Sequence, residues 1–223
     1  MIKHQRAILY SLFSILLLMQ SGCTLLGVAA YKLKPPETVQ PKYMGLENKS
    51  VGVMVWADRG LRIDWPTIQL DVANTVQKKL NDYQKAKKRE AKTLVGTSFP
   101  VLPASIVRYQ KDHPEIEAMP ITDIAPRLGV NRLIYVELEE FATRSEQALA
   151  LFRGTANATV KVVEIHNGEA IVPFEQNNVK TAFPPKAPPE GIPNAGDVRI
   201  YAGTVDALAT EIARLFVQYQ LEE

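Results

Sequence analysis

Apolar and polar positions from residue 50 onward follow the two-residue period of strands in several places. Residues 51–56 form a continuous apolar run, which is typical of a strand covered on both faces. Residues 131–141 and 154–165 alternate apolar with polar side chains, which predicts strands with one buried face. Asn167-Gly168 follows the second of these strands and is a strong signal for a two-residue hairpin turn. Further extended segments are predicted at residues 94–102, 170–174 and 179–183.

Apolar residues spaced three and four positions apart predict helices on either side of these strands. A first helix is predicted over residues 64–83, with Asp64 as its N-cap, and a last helix over residues 197–219. Shorter helices are predicted at residues 104–112 and 121–128, the second ended by a glycine. This order predicts an α/β (α+β) fold with a single mixed sheet and a long antiparallel hairpin. The two long helices are expected on one sheet face, because the strands need their inner face covered.

The N-terminus carries the pattern of an export signal. Lys3 and Arg6 precede an uncharged apolar stretch over residues 7–19, which is too short to span a hydrocarbon layer of about 30 Å as one helix. The small pair Ser21-Gly22 follows, and Cys23 comes directly after it. Here the chain resembles bacterial lipoproteins, whose lipobox ends in small residues before a cysteine. The resemblance implies a signal peptide over residues 1–22 and palmitate-type acylation of Cys23, which becomes the new N-terminus.

A second interpretation of the same segment is an uncleaved transmembrane anchor. No charged residue occurs between residues 7 and 31, which is long enough to cross a bilayer. Both interpretations place the rest of the chain outside the cytoplasm and attached to a membrane. By resemblance to lipoproteins, Thr24 in place of Asp after the cysteine favours the outer membrane. Residues 23–49, which contain three prolines, are predicted to be a tether, and residues 50–223 the globular domain.

The overall composition excludes several classes of protein. The chain has 223 residues, 46% of them hydrophobic, which is enough to build a folded domain. A single cysteine rules out an intramolecular disulfide framework and any paired-cysteine metal site. A net charge of +2 gives no general attraction to nucleic acid. Familiar catalytic and nucleotide-binding motifs are absent from the sequence. We therefore expect no cofactor, no metal and no catalytic activity.

Four phrases of the sequence resemble a group of envelope lipoproteins. They are KSVGVMVW, FPVLPASIVRYQK, DIAPRLGVNRLIYVELEEF and FRGTANATVKVVEIHNGEAIV, and a final helix follows them. The chain is similar in pattern and order, over residues 50–219, to the activator lipoprotein of penicillin-binding proteins, the curli secretion lipoprotein and the N-terminal domain of the Tol translocation β-propeller protein. The resemblance implies an envelope protein of this fold. The sequence predicts no additional hairpins that could form a curli-type pore.

Two groups of charged residues are candidates for binding. Glu137 and Glu139 lie two positions apart on one predicted strand and so face the same side. Such a pair serves acid–base chemistry in a cleft, but it is more typical of a wetted sheet face, with Lys161 on the neighbouring strand as a partner. A basic segment at the end of the first long helix could contact anionic lipid, cell-wall polymer or an acidic partner, or could simply be solvated. Its candidate contact residues are Lys85, Lys87, Lys88 and Arg89.

These features predict a lipid-anchored protein on the periplasmic side of a bacterial membrane. Its domain is expected to act as a non-catalytic accessory or scaffold module that docks an envelope protein partner. One alternative is a lipid-binding or small-ligand-binding accessory lipoprotein of a transport system. Another is a carboxylate-dependent enzyme using Glu137 or Glu139.

Overall fold

The computed structural model describes residues 37–86, 89–145 and 150–221. The strand bounds are β1 Thr38–Val39, β2 Val51–Ala57, β3 Arg132–Arg144, β4 Phe152–His166, β5 Glu169–Phe183 and β6 Tyr219–Gln220. Four of these strands form one sheet, with the spatial order β2-β3-β4-β5, and the two short strands, β1 and β6, pair with each other. The helix bounds are α1 Arg59–Asp64, α2 Ile68–Lys85, α3 Pro103–Asp112, α4 Ile121–Ile124 and α5 Asp197–Arg214. The predicted α/β fold with one mixed sheet is confirmed.

The sheet combines one parallel pair with a long antiparallel meander. β2 and β3 run parallel, with Val53 opposite Ile134, and the chain between them passes through the helices α1 to α4. β3, β4 and β5 are successively antiparallel. Asn167 and Gly168 both have left-handed backbone angles, φ 52° and 86°, as a type I′ hairpin turn requires. The predicted hairpin is therefore confirmed, and it joins strands of 15 residues each.

The first long helix differs from its prediction because it is interrupted near its start. The side chain of Asp58 accepts a hydrogen bond from the amide of Leu61 and caps the short helix α1, which ends at Asp64. Trp65 then leaves the helical region, with φ −131° and ψ 76°. A residue before proline is pushed out of the α conformation, and Pro66 follows Trp65 directly. Asp64 therefore ends α1 instead of capping the long helix, which begins at Ile68.

Two other predicted segments also take a different form. The strand predicted at residues 94–102 is absent, and this stretch contributes one isolated bridge, between Ser98 and Ser50. A proline within a strand cannot donate to the ladder, and Pro100 falls inside this segment. The extended pieces predicted at residues 170–174 and 179–183 belong to one strand, β5, which stays paired with β4 through two register shifts.

The last helix begins at its predicted residue but ends earlier than predicted, and the second short helical segment ends as predicted. α5 begins at Asp197 but its N-cap is Gly196, and the carboxylate of Asp197 instead lies 2.6 Å from the guanidinium of Arg144. α5 ends at Arg214, before the predicted residue 219. Gly129 ends the turns of residues 121–128 with φ 68°, so the predicted C-terminal glycine cap is confirmed.

The two faces of the sheet are covered unequally. α2 and α5 pack on one face and enclose the larger core, in which Val53, Val136 and Val160 of the sheet are fully buried. The other face carries a smaller core beneath α3 and the short turns that follow it, around Leu133 and Val163. The prediction that the long helices cover one face is confirmed. Both cores are built from residues between Tyr43 and Val217, so the polypeptide 24–223 contains every residue of both.

The packed part of the chain begins earlier than the predicted boundary at residue 50. Leu46 is fully buried in the larger core, and Tyr43 is only 9% exposed. The ring of Tyr43 packs against Phe174 and Phe216, with ring centroids 5.6 and 6.2 Å away. The last part of the predicted tether is therefore part of the folded domain. Among the described residues, no helix has both the length and the apolar character needed to cross a membrane.

Candidate functional site

A cleft that is lined in part by Glu137 lies on the less covered face of the sheet. It has a volume of about 460 Å³ and lies between β2, β3 and β4 on one side and α3, the following turn and α4 on the other. We call it the Tyr135 cleft. Its lining comprises Met54, Trp56, Arg62, Gln69, Gln110, Ile116, Glu117, Met119, Pro120, Ile121, Thr122, Ile124, Tyr135, Glu137, Lys161 and Val172.

Glu137 lines this cleft and is paired with a lysine from the neighbouring strand. The ammonium of Lys161 donates to both carboxylate oxygens of Glu137, at 3.1 and 3.0 Å. Both side chains are partly buried, and the pairing is diagonal, since Lys161 stands opposite Tyr135 in the ladder. The cross-strand partner expected for this carboxylate is therefore the one observed.

Glu139 occupies a separate environment. The register between β3 and β4 shifts between Leu138 and Glu140, so Glu139 lies at an irregularity in the strand. One carboxylate oxygen accepts from Nδ2 of Asn157 at 2.8 Å, and the other accepts from Oγ1 of Thr159 at 2.6 Å. Glu139 does not line the Tyr135 cleft. The two carboxylates thus have different partners and do not converge on one reacting centre.

A second ion pair lies at the opposite wall of the cleft. The guanidinium of Arg62, in the last turn of α1, is 2.7 Å from the carboxylate of Glu117, in the turn after α3. Glu117 is the more exposed of the two, at 45% against 34% for Arg62. No pattern in the sequence predicts this contact, because the two residues are 55 positions apart and meet only when α1 packs beside that turn.

Two glutamines meet the free edge of the sheet at the cleft. β2 is an edge strand, and the carbonyl of Val55 accepts from Nε2 of Gln69 at 2.8 Å and from Nε2 of Gln110 at 3.1 Å. These bonds satisfy a carbonyl that no neighbouring strand reaches. The amide oxygen of Gln110 is buried and has no hydrogen-bond partner among the described residues. The wall of the cleft therefore includes a residue with an unused buried acceptor.

Tyr135 forms the floor of the cleft. It is 9% exposed and belongs to the smaller core. Burial raises the pKa of its hydroxyl, and the negative charge of Glu137 raises that pKa further. The phenol accordingly stays protonated at neutral pH and can act as a hydrogen-bond donor, but not as a base.

The basic segment lies apart from this cleft. Lys85 is the last residue of α2 and is exposed. Lys87, Lys88 and the side chain of Arg89 lie outside the described residues, as do the predicted signal peptide over residues 1–22 and Cys23. Lys85 does not line the Tyr135 cleft, so the structure does not combine this candidate with Glu137 in one site.

The chain resembles several solved structures distantly. A PelC dodecamer from Paraburkholderia phytofirmans is 9% identical with a TM-score of 0.44, and the match covers 82% of this chain and 96% of that chain. The hypothetical protein CT253 from Chlamydia trachomatis is 13% identical with a TM-score of 0.35, and the match covers 60% of this chain and 71% of that chain. No family model and no curated protein matches the chain.

Proposed function

We propose that this chain is a lipid-anchored envelope protein whose folded domain is a non-catalytic accessory module for a protein partner. The observation that carries the proposal is the position of Cys23, the sole cysteine, directly after Ser21-Gly22 and behind an apolar segment with a basic start. The anchor lies on the periplasmic side of a bacterial membrane, and Thr24 after the cysteine favours the outer membrane.

Acylation would hold such a module at the membrane and raise its effective concentration there. Each buried methylene contributes about 0.8 kcal/mol, so one acyl chain holds a protein weakly whereas two or three hold it stably. A domain held at the membrane meets membrane-bound partners at a raised local concentration. Since Tyr43 and Leu46 are buried in the domain, fewer residues separate Cys23 from the domain than in the 23–49 tether expected from the sequence.

The environments of the two carboxylates favour this role over the enzyme alternative. Glu137 is neutralised by Lys161, and Glu139 accepts hydrogen bonds from Asn157 and Thr159. A carboxylate pair in glycoside hydrolysis has to face one scissile bond from two sides. These two side chains are instead engaged separately by their own neighbours. Their arrangement is that of polar groups that stabilise a partly solvated sheet face.

The first experiment tests the anchor. The full-length chain is expressed in a two-membrane bacterium with an alkyne palmitate, alongside the Cys23→Ser variant. The proposal expects a labelled product in the outer-membrane fraction for the natural chain, and no label for Cys23→Ser. An unlabelled natural chain found free of the membrane would contradict it.

The second experiment tests docking through the basic segment. We propose that Lys85, Lys87, Lys88 and Arg89 contribute to the contact with an acidic partner surface. Crosslinking in native membranes is compared for a triple variant of Lys85, Lys87 and Lys88 to Gln. The matched control replaces three exposed lysines elsewhere in the domain, Lys111, Lys180 and Lys186, by Gln. Specific crosslinks are expected to weaken in the first variant and persist in the control. Equal crosslinking in both variants would show that the basic segment does not contribute to the contact.

A further inference from the structure

We infer that the Tyr135 cleft binds a small uncharged amphiphile with an apolar body and a hydrogen-bond donor. This site is separate from the proposed docking contact and does not depend on it. The inference rests on three properties of the cleft: its size and apolar walls, the internal cancellation of its charges, and the unused acceptor of Gln110.

The dimensions of the cleft suit a small molecule. Its volume of about 460 Å³ falls inside the range of about 300–1,000 Å³ that is usual for ligand sites. Met54, Ile116 and Ile124 are buried beneath it, at 2–3% exposure, and form a rigid apolar floor with Tyr135. Concave apolar walls with a few fixed polar groups are the usual construction of a ligand site.

The charges lining the cleft leave no net attraction for an ion. Arg62 is paired with Glu117 at 2.7 Å, and Lys161 is paired with Glu137 at 3.0 Å. An anion would have to draw a cation away from its carboxylate, and a cation would have to do the reverse. Removing one member of a partly buried pair leaves the other uncompensated, which is unfavourable. An uncharged ligand fills the cleft without disturbing either pair.

Gln110 provides the specific contact. Its Nε2 is used by the carbonyl of Val55, which fixes the orientation of the amide, and its Oε1 is left without a partner among the described residues. A buried acceptor without a donor is unfavourable, so a ligand that supplies an N–H or O–H to this atom gains more than one that does not. The preferred ligand therefore carries a donor on its apolar body.

The test uses a set of matched probes on the polypeptide 24–223, which contains both cores. N-phenyl-1-naphthylamine is an uncharged aromatic amine with one N–H, and its fluorescence rises in apolar surroundings. Its 8-sulfonate derivative adds a negative charge to the same skeleton. 1-Phenoxynaphthalene replaces the N–H by an ether oxygen and is tested as a competitor. We expect saturable binding of the amine and weaker binding of the sulfonate. We also expect the affinity of the ether, measured by competition, to be about tenfold weaker than that of the amine.

Two pairs of variants locate the site. Gln110→Leu removes the acceptor while Gln69 still satisfies the carbonyl of Val55, and we expect it to bind the amine about tenfold more weakly. Its control is Gln77→Leu, because Oε1 of Gln77 is also buried without a partner but lies outside the cleft. Val172→Trp fills the cleft and should abolish saturable binding, whereas Ile171→Trp, at the adjacent exposed position, should not.

Circular dichroism and thermal unfolding confirm that each variant is folded before it is titrated. Absence of saturable amine binding to the natural sequence would overturn the inference. So would undiminished binding by the folded Val172→Trp variant. Tighter binding of the sulfonate than of the amine would overturn the requirement for an uncharged ligand, and equal binding by Gln110→Leu and Gln77→Leu would overturn the role assigned to the Gln110 acceptor.

Discussion

The hydroxyl of Tyr43 donates a hydrogen bond to Oε1 of Glu164 over 2.7 Å. Arg132, only 5% exposed, lies 3.1 Å from the other oxygen of the same carboxylate. Through Glu164, the segment before β2 is linked by a hydrogen bond to β4, and β4 is linked by an ion pair to β3. Burial raises the pKa of Tyr43 to about 12, aided by this bond to Glu164 and by the carboxylate's charge. Burial also raises the pKa of Glu164, but the bond from Tyr43 and the charge of Arg132 together hold it below its usual value.

Tyr43→Phe should destabilise the domain by about 2 kcal/mol, because it removes a hydrogen bond to a charged group and leaves Glu164 less satisfied. The free energy of unfolding of the polypeptide 24–223 in urea measures this loss. Tyr83→Phe is the control, since Tyr83 also packs against the larger core but its hydroxyl bonds no described residue. An equal loss in both variants would show that the Tyr43–Glu164 bond contributes nothing specific.

Stability should decline in acid partly because of Glu164. Its pKa is lower in the folded chain than in the unfolded chain, so the unfolded chain takes up the proton first as the pH falls. The stabilisation is complete above the unfolded value, about 4.3, and is lost as the pH falls through the lower folded value. Urea unfolding over a series of acid pH values should show a shallower decline for Glu164→Gln than for the natural chain. The exposed Glu175→Gln serves as the control and should keep the natural slope.

Leu46→Ala tests whether the end of the predicted tether belongs to the folded domain. Leu46 is fully buried, so its truncation should cost about 2–5 kcal/mol of unfolding free energy. Met44→Ala, two positions earlier, removes a side chain that is 68% exposed and should change the stability by less than about 0.5 kcal/mol. Equal stability of the two variants would show that residues 43–46 belong to the tether and not to the folded domain.

Gly154→Ala tests the close approach of β4 to α5. A methyl group at residue 154 would lie 1.7 Å from Oγ1 of Thr204 and 3.1 Å from Cγ2 of Ile200. We expect a loss of about 3 kcal/mol, since overpacking forces the strand and the helix apart. Adding Thr204→Ala should restore part of it. Gly196→Ala is the control, because nothing lies within 4 Å of its added methyl group; a similar loss there would exclude the packing explanation.

The double variant Glu137→Gln and Glu139→Gln separates the accessory module from the enzyme. Loss of the Glu137–Lys161 pair, which is partly exposed, should cost no more than about 1 kcal/mol. Crosslinking to the partner and the phenotype of cells carrying the double variant should stay as in the natural chain. Loss of phenotype by a folded, correctly anchored double variant would favour the carboxylate-dependent enzyme. Glu211→Gln is the control for a change at another paired carboxylate.

The local features of the fold were predictable from neighbouring residues. Asn167-Gly168 specifies its turn because both positions require left-handed backbone angles that Asn and Gly accept. Gly129 ends its helical turns for the same reason. The break between α1 and α2 was also within reach of the sequence, because Pro66 restricts Trp65, but the continuous apolar period across it concealed the break.

The candidate site was predictable only in part. Strand alternation placed Glu137 and Lys161 on one face, and the ladder brought them into contact. Sequence order says nothing about which loop of a crossover covers that face, so the Arg62–Glu117 pair and the acceptor of Gln110 were missed. These groups lie on elements that are far apart in the chain and come together only in the folded domain.

By itself, the sequence determined the strands and the turn of the hairpin and the apolar faces of the helices. Each depends on residues a few positions apart, whose backbone preferences and periodicity act locally. The tertiary structure alone decided that Tyr43 and Leu46 join the core, that Glu137 and Glu139 have separate partners, and that a cleft opens beside Tyr135. Those outcomes depend on contacts between residues distant in the chain, which are fixed only when both layers pack against the sheet.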